Sequence, residues 1–99
     1  MLDEPRTVFR GIGAAAGFVK HAYHRAATIV DYAIVVDPPT RRLTLGGTVA
    51  ASDPYLLAQT PLLFVVPTKA GRLRWPIESV QVADGRIVAA LGPLLVERT

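Results

Sequence analysis

The stretch Ser79-Val80-Gln81-Val82-Ala83-Asp84-Gly85-Arg86-Ile87-Val88-Ala89-Ala90 decides the fold class. Asp-Gly between two alternating runs is the strongest short-range hairpin signal, because a two-residue loop with positive φ suits these residues best. That loop sets Val82 against Ile87 and Val80 against Ala89 on one face. Gln81 and Val88 then share the other face. Pattern and turn chemistry agree, so antiparallel β structure is expected here.

Working back towards the N-terminus, the same grammar recurs. Arg72-Leu73-Arg74-Trp75 alternates charge with apolar bulk, and Pro76 restricts it to an edge or a bend. Thr68-Lys69-Ala70-Gly71 has the composition of a hairpin loop. Leu62 to Val66 is a continuous apolar run, expected as a strand covered on both faces. Ser52-Asp53-Pro54 is a helix start, with a capping side chain and proline at the first helical position. One or two turns fit between it and Pro61. Residues 42–50 alternate, interrupted by Gly46-Gly47, which suggests a bulge or a barrel corner. Asp37-Pro38-Pro39-Thr40 is turn chemistry. Residues 28–36 are β-branched and aromatic.

Residues 11–26 are Gly- and Ala-rich, and a helix is expected over 14–27. The fold class that follows is mainly β with an N-terminal helix. It is a small five-stranded, largely antiparallel barrel or rolled sheet, with a short helical turn between strands 2 and 3. Residues 1–10 form a charged arm, 11–93 the domain and 94–99 a tail.

Composition narrows the function classes. The 99 residues fit one domain and contain no cysteine, which excludes disulfides, thiol catalysis and thiolate-held metals. Net charge is +3, too mild to demand an anionic partner. Apolar residues reach 51% and charged ones only 19%, against about 25% charged in ordinary domains. A small body has little interior to hide that much apolar surface, which points to association with further copies or other subunits. The apolar run from Gly11 to Val19 is far shorter than the roughly 20 residues of a membrane-spanning helix. No signal-peptide pattern is present, so a cytoplasmic or particle-bound protein is expected.

Four candidate sites stand out. Gly11-Ile12-Gly13-Ala14-Ala15-Ala16-Gly17, with Asp31 beyond it, has the outline of a dinucleotide loop, but the hairpins around it do not supply alternating strands and helices. His21 and His24 would share a helix face as weak metal ligands, next to Lys20 and Arg25, which would repel a cation. Asp31, alone in an apolar strand, would be a general acid if buried and a solvated residue otherwise. Alternating strand directions bring the turns at 37–41 and 68–71 to one end. This gathers Arg41, Arg42, Lys69, Arg72 and Arg74 into a basic end able to meet phosphates, with Trp75 or Tyr32 to stack a base.

The leading expectation is a non-catalytic structural or assembly subunit of a homo-oligomer or larger particle, such as a phage or phage-like assembly. Phe18, Leu62, Phe64 and Val66 are its expected interface. A small nucleic-acid-binding barrel using the basic end is the second reading. A small enzyme or ligand-binding domain with a site shared between subunits, using His21, His24 and Asp31, is the third. No cofactor and no membrane span are expected.

Overall fold

The computed structural model describes residues 6–11 and 16–98. Eight strands and one short helix follow in order. These are β1 (Arg6–Arg10), β2 (Gly17–His21), β3 (His24–Asp37), β4 (Arg42–Ser52), α1 (Pro54–Leu57), β5 (Leu62–Thr68), β6 (Gly71–Ala83), β7 (Arg86–Leu91) and β8 (Leu95–Arg98). Six of them close a ring of antiparallel pairs in the order β3-β2-β5-β6-β7-β4, with β4 returning to β3. The remaining two are additions to long strands. β1 pairs only with the second half of β3, and β8 only with the first half of β6. The fold is thus a closed six-stranded antiparallel barrel with two extra strands, in place of the five strands expected.

The expected helix over 14–27 is replaced by β2, a tight turn at Ala22-Tyr23 and the start of β3. Phe18 pairs with Thr28, Val19 with Ala27 and His21 with His24 across this hairpin. Alanine is the best helix former, but propensity is worth only a fraction of a kcal/mol per residue and tertiary pairing overrides it. Ala26 and Ala27 are buried, and Val19 is fully enclosed. Ala22 turns the chain with a φ of 53° and no glycine or asparagine, so the sequence carries no ordinary turn signal here. Gly11 donates its N–H to the Tyr32 carbonyl at 2.9 Å. Residues 12–15 of the glycine-rich stretch lie outside the described residues. From Gly17 onward the chain is a strand, so a helix N-terminus able to cradle pyrophosphate does not follow it.

The Asp-Gly hairpin forms in the expected register, with Val82 opposite Ile87, Val80 opposite Ala89 and Gln81 opposite Val88. Asp84 and Gly85 have φ values of 54° and 73°, the positive pair this turn needs. The helix start at Asp53 also forms. Its carboxylate accepts from the Tyr55 and Leu56 backbone N–H groups at 3.0 and 3.2 Å. Gly46-Gly47, expected as a bulge or a barrel corner, keeps an unbroken register with Val88 and Ile87 of β7, while Gly47 lies opposite a bulge in β3. The bulge falls on the partner strand β3, between Val30 and Ala33, where Asp31 adopts a φ of 48°. Gly47 leaves room for Tyr32, since a Cβ there would stand 2.7 Å from Ile29 Cγ2 and 3.1 Å from the Tyr32 backbone.

Inside the ring, Phe9, Tyr32, Phe64 and Trp75 form one aromatic cluster. Tyr32 meets Phe64 edge-on at 5.2 Å, and Phe9 meets Trp75 edge-on at 5.6 Å. Such contacts add stabilisation beyond the area buried. Ile29, Ile34, Leu45 and Ile87 fill the rest. Among the described residues no charged side chain is buried. Burial pushes the Tyr32 hydroxyl pKa up, because a phenolate loses its hydration there.

Candidate functional site

Strand directions give the barrel two unlike ends. At one end lie the β2–β3 turn, the β6–β7 turn and α1. At the other lie the β3–β4 turn, the β5–β6 turn, the first residues of β1 and the last of β8. The first end is sealed. Asp53 donates its N–H to the Ala26 carbonyl at 2.8 Å, and His21 Nδ1 bonds the Pro61 carbonyl at 2.9 Å. A carbonyl only accepts, so this His21 bond places the ring proton on Nδ1.

The other end is split. Ring pairing between β4 and β7 stops at Leu43 and Leu91. Gly92 then donates to the Pro76 carbonyl at 2.7 Å, and the chain leaves β4 to continue along β6 as β8. On the far side, β2 meets β5 only from Phe18 to Lys20, and β1 follows β3 instead. Two three-stranded lips result: β1-β3-β4 and β8-β6-β5. Among the described residues, β1 and β8 each keep one edge without a strand partner. Uncovered apolar side chains lie on or beside both: Val8, Leu95 and the preceding Leu94 are about half exposed, and Val96 is 58% exposed.

The five basic residues singled out from the sequence sit at this split end. Arg41 and Arg42 belong to the β3–β4 turn and the start of β4, Lys69 to the β5–β6 turn, and Arg72 and Arg74 to the first turns of β6. Asp37 and Thr40 shape the first turn. The Thr40 hydroxyl donates to the Asp37 carboxylate at 2.6 Å, and Arg41 N–H donates to the Asp37 carbonyl at 2.7 Å. Arg41 is left in a left-handed conformation with φ 58°. A groove of about 330 Å³ opens where β8 departs from β4, with Arg41, Arg42 and Leu43 on one wall and Glu78, Gly92 and Pro93 on the other. Arg72 and Arg74 are exposed and half-buried respectively, and stand beside Glu97 and Leu95 of β8 in the strand register.

The aromatic partners expected for a base are elsewhere. Trp75 and Tyr32 are 3% and 2% exposed and belong to the core. The exposed aromatic rings are Tyr23 and Tyr55, at the sealed end. Leu62, Phe64 and Val66, expected at an interface, point into the barrel and are already covered by this chain. Phe18 lies on the outer wall, half-buried, with the Arg25 guanidinium 3.9 Å from its ring centroid. Its cross-strand neighbour Val65 is 5% exposed although it also faces outward, so this patch is largely closed.

The His21–His24 pair forms across a hairpin, not along a helix face. Among the described residues no group of three His, Asp or Glu side chains could hold a metal ion. Asp31 is exposed on the bulge and lines a shallow depression with Arg10, Gly11 and Tyr32. Its carboxylate thus takes the solvated position of a half-buried strand.

The sequence reading missed the two free-edged strands. Their signal was present as Thr7-Val8-Phe9 between arginines, and as the apolar run Leu94-Leu95-Val96. Both were short and terminal, where apolar runs carry little weight. No helix of the described residues is long and apolar enough to cross a membrane. No family model, no curated protein and no solved structure matches this chain.

Proposed function

We propose that this protein is a non-catalytic assembly subunit that associates with further copies of itself, as one ring or layer of a larger particle. The observation that supports this best is the pair of free-edged strands, β1 and β8, at one end of an otherwise closed barrel. An unpaired strand edge presents a row of N–H and C=O groups that another chain can extend. Here that edge comes with Val8, Leu94, Leu95 and Val96 uncovered. The closed core absorbs most of the apolar residues; of the large ones left exposed, Val8, Leu94, Leu95 and Val96 lie on or beside these two strands, and Tyr23, Tyr55, Val82 and Val88 lie at the sealed end. The association surface is therefore the split end, and not the β5 residues Leu62, Phe64 and Val66.

Light scattering across a dilution series tests the proposal. The native chain is expected at a multiple of the one-chain mass, and Val96→Lys, which charges the free edge, is expected to lower that mass. A one-chain mass at every concentration up to the millimolar range would refute it.

A further inference from the structure

Beyond the assembly reading, we propose that the split end binds the phosphate backbone of double-stranded nucleic acid, without reading its sequence. Three observations carry this. First, Arg6, Arg41, Arg42, Lys69, Arg72 and Arg74 lie at this end, out of eleven lysines and arginines in the chain. The sealed end holds Lys20, Arg25 and Arg86, with Asp53 and Asp84 beside them. Asp37, Glu78 and Glu97 are placed at the split end too, so its six cations outnumber these acids two to one.

Second, the cations are available. Arg41, Arg42, Lys69 and Arg72 are exposed, and among the described residues none of these four forms an ion pair. The acid inside the first turn, Asp37, has its carboxylate engaged by Thr40. Glu78 is exposed on the opposite wall of the groove. Two hairpin turns thus present these guanidinium and ammonium groups to solvent at one end of the barrel.

Third, the aromatic rings distinguish duplex from single strand. Binding of single strands relies on bases stacked on exposed aromatic side chains. Trp75 and Tyr32 are enclosed in the core, and Phe9 is half-buried among them. Tyr23 and Tyr55 are exposed at the other end. The split end offers charge without a stacking platform, which suits the outside of a duplex, where phosphates alone are presented.

Fluorescence anisotropy with a 20-base-pair duplex and the matching single strand tests this. Four phosphate contacts give a salt slope of about −3.6, so raising salt from 50 to 200 mM is expected to weaken duplex binding about a hundredfold. Arg41→Glu with Arg42→Glu should weaken binding at 50 mM salt at least tenfold and flatten the slope by about 2. Lys69→Glu with Arg72→Glu should act similarly. Arg86→Glu, at the sealed end, should change little. Circular dichroism of each variant confirms that the barrel is retained. The proposal is overturned if no duplex binding appears at 50 mM salt, if the split-end pairs and Arg86→Glu weaken it equally, or if the single strand binds more tightly. The mass of Val96→Lys tests assembly separately, so either proposal can fail alone.

Discussion

The sealed and split ends of this barrel are built from the same kind of strand and differ in how their edges are used. At the sealed end the long strands run into a tight turn or into the capped helix, and beyond Ile77 β6 is paired on its β7 side alone among the described residues. At the split end the long strands β3 and β6 outrun the ring, and each gains a short companion bonded on one side only. Charge follows the same division. The residues beside the open edges are arginine and lysine, the side chains that natural sheets use to discourage indiscriminate edge pairing. Open edges and a basic rim thus occupy the same end of the barrel. The ring is closed by pairing between neighbouring strands, and the free edges of β1 and β8 lie where it opens.

The largest effect that separates the two regions is expected in the ring. Phe64→Ala removes a fully enclosed ring from the aromatic cluster and should cost about 3–5 kcal/mol in urea unfolding. A cost near zero would mean that the cluster is not the stabilising core. The same cluster should leave a pH signature through Tyr32. Its hydroxyl pKa is raised in the folded state, so its contribution is fully present below the unfolded value near 10 and is lost as pH climbs through the folded one. Thermal unfolding should fall off above about pH 10, and Tyr32→Phe should flatten that fall.

Asp53→Ala tests the sealed end itself. Losing both capping hydrogen bonds to Tyr55 and Leu56 should cost about 1 kcal/mol. The smallest effect is expected at the split end, where Val96→Lys should change the stability of a single chain by less than about 0.5 kcal/mol. A loss as large as that of Phe64→Ala would show β8 to be part of the core. Hydrogen exchange can sharpen the contrast without substitution. Amides of β1 and β8 should exchange faster than those of β3 and β4, because bonding on one side opens more readily.

Several elements were legible from local chemistry. Asp84-Gly85 dictated a hairpin and its register, and Asp53-Pro54 dictated a capped helical turn. The turns at 38–41 and 69–70 were also visible, and with them the shared end of Arg41, Arg42 and Lys69. The hairpin at Ala22-Tyr23 was not, because its turn is held by an alanine at positive φ that its neighbours impose. An acid in an apolar run is a solvated residue unless it is buried, and Asp31 is solvated, but on a bulge that simple alternation does not foresee.

What the sequence by itself determined is the β class, two antiparallel hairpins, the capped turn and the polarity of the charge. These depend on contacts between residues a few positions apart, whose geometry is set by φ preferences and side-chain capping. Only the tertiary structure decided that residues 17–27 are strands, that β3 and β4 close the ring, and that Leu62, Phe64 and Val66 face inward while Val96 does not. Ring closure joins strands far apart in the chain, and an apolar side chain carries no mark of which face it will occupy until its partner strand is in place.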